Sequence, residues 1–359
     1  ILKWAIALFS TMDLTILPTP TKDRQRWNDF VLKHYPPIGA FMASWEWGNF
    51  QQALGRKIER FTVISGDEIM AVFTVVHCHL PSGQWYGYAP RGPAVNLDFF
   101  NTPEKINDLF SAIEHWARQN FPNFIFLRLE PPLDPATTIA GRRLIRPNYY
   151  VRPRHNLAIN LTKTEEEILM EFHSSTRSNV KKAERKGVTA EIKKEMTGAD
   201  WDHFFGMASE TMARNEGKNI YPGRAYFETM VKTMPHVDDV TDGGLSLCFF
   251  CGKHEGKPAA TNLALFFGDT ATYLFGGSYT ADLPSKVTTY LHWYGVKESK
   301  KRGYKYYDLG GIDEKLWPSL TVFKRRFRGS EFEYLGNIDI IIRPIKYKIY
   351  KLARKIRKS

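Results

Sequence analysis

The chain has 359 residues, is 43% apolar and 14% aromatic, and carries a formal net charge of +12. That length exceeds what one core usually holds, so two domains are expected, and the apolar content excludes wholesale disorder. Residues 343–359 hold eight of the positive charges and no acid; 12 less 8 leaves +4 on the rest, so the overall charge is weak evidence for nucleic-acid binding and the tail is a separate question.

Three cysteines, Cys78, Cys248 and Cys251, are too few and too sparse for a disulfide framework and fit a reducing compartment. Cys248 and Cys251 have CxxC spacing, but they lie in the apolar run LSLCFFC, read as a buried strand. Residues three apart in a strand point to opposite faces, which argues against a shared redox or zinc site, and no metal is expected. The apolar stretch 1–9 is far shorter than the roughly 20 residues a membrane span needs. Met12 is a candidate native start, with residues 1–11 added upstream.

In chain order, residues 24–35 predict a helix with Trp27, Phe30 and Val31 on one face, and the aromatic stretch 41–55 a second helix or one wall of a pocket. Three strand-like runs follow, 58–64, 69–79 and 84–89, separated by Ser-Gly-Asp and Pro-Ser-Gly turns. Thr102 and Pro103 open a helix whose stripe is Ile106, Leu109, Phe110, Ile113 and Trp116, and residues 124–129 form a strand ending at Glu130. Residues 136–154 are expected to connect, with one short helix, to a strand at 156–161. Thr164-Glu-Glu-Glu167 is a capping box, and residues 175–186 form a strongly basic helix stopped by Gly187. Residues 214–226 are expected to be a loop leading into a helix with Phe227 and Met230.

The pattern of three strands, helix and strand then recurs: 245–251, 259–267, 270–276, a helix over 285–302 and a strand over 304–309. The two halves read as one fold used twice. Each puts polar residues at the carboxyl end of the strand after the helix: Glu130 in one, Asp308 with Gly310 and Gly311 in the other. Past the second strand come Asp313 and the cationic cluster Phe323-Lys324-Arg325-Arg326. Glycines that let a backbone approach closely, followed by fixed cations, suit a substrate that is anionic or forms an oxyanion. In the tail, Ile345, Ile349, Leu352, Ala353 and Ile356 recur at helical spacing between the cations, a stripe that either packs on the first domain or meets an anionic membrane surface.

SWEWGNFQQALG, YAPRGPA, LRLEP, STRSNVKKAERKGV, YLFGGS, YDLGGID and FKRRF…YLG stand in one order over residues 40 to about 337. Together they resemble the FemABX family, the tRNA-dependent aminoacyl transferases that build peptidoglycan interpeptide bridges. The resemblance implies an α/β (α+β) fold of two GNAT-like acyltransferase domains, each a mixed, mostly antiparallel sheet flanked by helices. Residues 12–155 with 337–359 would form an acceptor-binding domain completed by the basic tail helix, and 156–336 the aminoacyl-tRNA side. Because the basic helix stops at Gly187, no long coiled-coil arm is expected, which matches the compact members of the family.

By the same resemblance, Lys324 would stabilise the oxyanion or the leaving 3′-oxygen, with Phe323 positioning it. Glu130 would accept the amine's proton or orient the amine. Tyr226, Tyr273, Asp308, Gly310 and Gly311 would line the substrate, and Arg224 stands near the place of a phosphate-binding arginine, displaced by two residues. The family's first-domain phosphate-binding lysine would fall at or near Gln51, and its absence puts diphosphate binding there in doubt or moves it to Arg56 or Lys57. Arg177, Lys181, Lys182, Arg185, Arg325 and Arg326 would contact tRNA phosphates. Aminoacyl-tRNA is then a co-substrate with no further cofactor, and the acceptor is a nucleotide- or lipid-linked muramyl peptide. A cytoplasmic monomer, in peripheral contact with the membrane's inner face, is expected. A coenzyme A-dependent N-acyltransferase is the alternative, weakened because no glycine lies between Gly277 and the helix at 285. A non-catalytic RNA- or membrane-binding protein would leave the ordered motifs unexplained.

Overall fold

A computed structural model describes residues 13–141, 143–147, 149–214 and 221–356. Met12, residues 1–11, Arg357 and Lys358 fall outside them. The chain divides into two compact units, residues 1–154 with 333–359 and residues 155–332.

The first unit opens with β1 (Thr15–Pro18), α1 (Arg24–His34) and α2 (Trp45–Ala53). Ser44 caps α2, its Oγ accepting from the Trp47 N–H over 3.1 Å. Three antiparallel strands follow: β2 (Ile58–Ser65), β3 (Glu68–His79) and β4 (Trp85–Ala89), with the two-residue β5 (Ala94–Val95) on β3. Helix α3 (Pro103–Asn120) starts as its sequence predicts, with Pro103 in the first turn and the Thr102 hydroxyl accepting from the Lys105 N–H. Its buried stripe, Leu109, Phe110, Ile113, Trp116 and Ala117, packs on the sheet against Phe61, Phe73 and Leu127. Strand β6 (Phe124–Leu129) returns parallel to β4. The helix expected within 136–154 is not formed among the described residues. That segment holds only β7 (Leu144–Ile145), because its prolines and lack of apolar period favour extended chain.

The second unit begins with β8 (His155–Asn160) and α4 (Glu165–Glu171), whose capping box is complete: Thr164 and Glu167 satisfy one another's backbone N–H groups. The basic helix is α5 (Ser174–Arg185), followed by β9 (Thr189–Lys193) and α6 (Gly198–Arg214). Helix α7 (Arg224–Thr233) takes in Arg224 and Tyr226, which were expected in a loop; Gly223 is extended and serves as its N-cap. The repeated motif is β10 (Ser246–His254), β11 (Lys257–Phe267), β12 (Thr270–Ser278), α8 (Val287–Lys301) and β13 (Tyr306–Ile312), again with the last strand parallel to the one before the helix. In β10, Cys248 is buried and Cys251 half-buried. Helix α9 (Pro318–Arg325) and β14 (Ser330–Glu333) close the unit.

The chain then returns to the first unit as β15 (Ile338–Ile341), antiparallel to β6, and α10 (Pro344–Ile356). The return comes at Glu333 rather than at 337. Arg128 and Asp339 form a buried two-point ion pair, both bonds 2.7 Å, that fixes β15 beside β6. Of the two alternatives for the apolar stripe of the tail helix, packing on the first unit is not the one observed: the helix packs through Tyr347, which is buried, while Ile345, Ile349, Leu352 and Ile356 are exposed. No helix among the described residues is long and apolar enough to cross a membrane.

Candidate active site

The site of the second unit is built where β13 fails to run regularly. The strand does not end at Leu309; it continues to Ile312, with a register break against β8 between Asp308 and Gly311. Gly310 sits in the break at φ +78°, where a Cβ would come within 3.3 Å of the Tyr273 carbonyl oxygen and 3.6 Å of Lys324 Nζ. Glycine is therefore required twice over, for the left-handed backbone and for the close approach. Asp308, expected among the substrate-contacting groups, is instead fully buried beneath the bulge. Its Oδ1 accepts the Gly310 N–H over 2.7 Å, and its Oδ2 accepts from Asn156 Nδ2 over 3.3 Å.

The cations at 323–326 were expected to share the site, but α9 sorts them. Thr321 and Lys324, three apart, share its inward face, and Arg325 points outward. Lys324 is 5% exposed. Its Nζ donates to the Gly311 carbonyl over 2.7 Å and lies 5.9 Å from the centre of the Tyr273 ring. Burial pushes the Lys324 ammonium down to about 8, opposed by the Asp308 carboxylate. Phe323 lies 5.6 Å, centre to centre, from His292 of α8, and Tyr273 lies 4.7 Å from the same ring. His292 is buried and held neutral, pushed down to about 3 by burial and then by the nearby Lys324 charge. Nothing in the sequence around His292 marks it; only the packing of α8 brings it here. Asp313 belongs to the backbone: its Oδ1 accepts the N–H groups of Lys315 and Leu316 and shapes the entry to α9.

Around this point the other named cations divide. Arg325 is paired with Glu314 and Glu331. Arg326 is exposed, and its carbonyl accepts from the His173 N–H and the Thr176 hydroxyl, which ties the start of α5 to the end of α9. Arg177 is committed to the Met170 and Phe172 carbonyls at the end of α4. Lys181, Lys182 and Arg185 are exposed along α5. Arg224 is exposed and paired with Asp202 and Glu228, while Tyr226, two residues on and half-buried, rests on Phe227 and Phe275.

In the first unit, Glu130 follows β6 directly and is 3% exposed. Its Oε2 accepts from the Tyr88 hydroxyl at 2.5 Å and from the Arg91 N–H at 3.4 Å. Burial, and then the Glu130 carboxylate, push the Tyr88 hydroxyl well above its ordinary value and hold it protonated. Arg91 has φ +50°, uncommon for a residue with a side chain, and its buried guanidinium donates to the Pro153 carbonyl. Tyr88 and Arg91 are the first and fourth residues of the YAPRGPA segment, but only the fold sets both on Glu130. Gln51 is buried, and its amide oxygen accepts from Arg56 Nη1, so Arg56 brings a cation to the place where Gln51 lacks one.

The FemAB family profile matches residues 144–239 and 250–355. A UDP-N-acetylmuramoylpentapeptide-lysine N(6)-alanyltransferase from Weissella viridescens is 26% identical over 302 residues, covering 78% of this chain and 82% of the relative. Among solved structures, that of FemX superposes with a TM-score of 0.74 at 17% identity, covering 93% of this chain and 99% of the other. A tandem GNAT protein from the clavulanic acid biosynthesis pathway matches with a TM-score of 0.52 at 9% identity over 92% of this chain and 98% of its own. These two likenesses concern the fold: paired GNAT-like units, each with a mixed sheet and flanking helices.

Proposed function

The chain belongs to the FemAB family, and on that premise we propose that it is an aminoacyltransferase that extends the side-chain amine of a peptidoglycan-precursor stem peptide, with aminoacyl-tRNA as donor. The observation that carries the reading is the buried Lys324 ammonium, set on the Gly311 carbonyl beside a glycine bulge. In the proposed step the acceptor amine attacks the ester carbonyl, forming the C–N bond, the bond from that carbon to the tRNA 3′-oxygen breaks, and the proton the amine loses ends on that oxygen. Negative charge develops first on the carbonyl oxygen and then on the 3′-oxygen. A preorganised cation in a site closed to water stabilises that charge more than solvent would. Lys324 has donors left for such an oxygen, because among the described residues its one hydrogen-bond partner is the Gly311 carbonyl. The Tyr273 ring lies 5.9 Å from its Nζ.

Glu130 is the acidic group of the first unit, held by Tyr88 and the Arg91 N–H, and it takes or orients the amine's protons. Arg56 and Arg224 are assigned to the acceptor's phosphates, and Lys181, Lys182, Arg185 and Arg326 to tRNA phosphates, their exposure leaving them open to a polyanion. The protein would work as a monomer on the cytoplasmic side, at or near the membrane surface.

The test is a reconstituted transfer with charged tRNA and nucleotide- or lipid-linked stem peptide, read by mass spectrometry. The expected product is a muropeptide longer by one or more residues, abolished by prior ribonuclease treatment. A product that survives ribonuclease, or activity with an acyl-coenzyme A alone, overturns the reading.

A further inference from the structure

We infer that α10 docks the protein on an anionic bilayer surface. The helix is fastened to the first unit by one side only. Tyr347 is buried and its hydroxyl donates to Asp339 Oδ2 over 2.7 Å, while the Tyr350 ring lies 5.0 Å from Phe126. Ile345, Ile349, Leu352 and Ile356 recur every four or three residues and so form one stripe, about half a turn around from that packed side. The four are 78%, 63%, 61% and 66% exposed. A row of large aliphatic side chains is a patch rather than the scattered exposure of an ordinary surface.

The charge around the stripe selects the partner. No acid occurs from Arg343 to Ile356, whereas Lys348, Lys351 and Lys355 stand exposed beside the apolar row. This is the layout of a helix lying in a membrane interface: the aliphatic residues reach the acyl boundary and the lysines extend to the level of the phosphates. A second copy is a poor occupant, since a two-fold contact would set these lysines against their equivalents. The docking face lies on α10 alone. Its use, holding the enzyme near a lipid-linked acceptor, rests on the transferase reading.

The experiment is co-sedimentation of the full chain with vesicles of phosphatidylcholine, with and without phosphatidylglycerol, and no acceptor present. Binding is expected only with the anionic lipid. Each lysine contributes roughly five-fold in partitioning, so K348Q/K351Q/K355Q is expected to bind about a hundred-fold more weakly. I349E/L352E places charge in the stripe and is expected to abolish binding. Both variants are expected to keep the wild-type melting temperature and turnover on a soluble acceptor, so a failed transferase reading leaves this result interpretable. The inference is overturned if wild type ignores anionic vesicles, or if both variants bind them as wild type does. It is equally overturned if I349E/L352E instead dissolves a concentration-dependent dimer while vesicle binding persists.

Discussion

The Lys324 ammonium is anchored 2.7 Å from the Gly311 carbonyl, where β13 breaks register against β8. A strand irregularity and a buried cation thus form one device. The bulge turns a backbone oxygen towards the lysine, which is 5% exposed. If that ammonium stabilises transition-state charge, Lys324→Met should lower turnover by about two orders of magnitude or more while acceptor binding is little changed. Single-turnover rates beside an acceptor-binding titration check this; an unchanged rate removes Lys324 from the chemistry.

Burial sets the Lys324 pKa at about 8, and the Asp308 carboxylate holds it from falling further. Lys324 acts only when charged, so activity should fall as pH rises through about 8. Asp308→Asn removes the supporting charge and should move that alkaline limb to lower pH. Tyr273 and Tyr307 stay protonated and His292 neutral across this range, so they do not supply the transition. A pH–rate profile whose alkaline limb is the same in both proteins would refute Asp308 as the residue that positions and charges Lys324.

A Cβ on Gly310 would be tight against the Tyr273 carbonyl oxygen at 3.3 Å, and the φ of +78° resists any side chain. Gly310→Ala should cost about 1–3 kcal/mol of stability and also slow turnover, because the shifted bulge moves the Gly311 carbonyl. Thermal unfolding and initial rates measure the two effects; a variant with wild-type stability and rate would show that the bulge is not constrained.

Glu130 can be divided between two roles. Glu130→Gln keeps the shape and the contact with the Tyr88 hydroxyl but cannot take a proton. A loss of about a hundred-fold in turnover supports proton transfer, whereas a raised KM with turnover kept supports orientation of the amine.

The Arg128–Asp339 pair should matter for folding rather than chemistry. Asp339→Ala leaves Arg128 buried without its partner and removes the acceptor of the Tyr347 hydroxyl. A loss of about 3–5 kcal/mol in denaturant unfolding is expected; a loss below about 1 kcal/mol would mean that β15 and α10 are held by apolar packing alone.

The sequence by itself determined the elements whose causes are local. The Thr102 and Thr164 caps, the 3.6-residue stripe of α3 and the turn residues between β2, β3 and β4 act within a few residues, so they can be read without the fold. The doubled order of strands and helix was legible for the same reason, and so was the family, from motifs in register. Tertiary structure decided the rest, where the partners are far apart in the chain. The spacing of Phe323 and Lys324 does not say that Lys324 turns inward and Arg325 outward, because that depends on how α9 meets the bulge. Asp308 looked like a strand-end ligand until the extension of β13 to Ile312 buried it. In α10 the period revealed two sides but not which one packs. Tyr347 could bury, with Tyr350 half-buried beside it, because Asp339 and Tyr149 satisfy their hydroxyls, and Asp339 is itself held by Arg128, 211 residues away. Pairings at that distance arise from the whole chain's packing, and no local pattern encodes them.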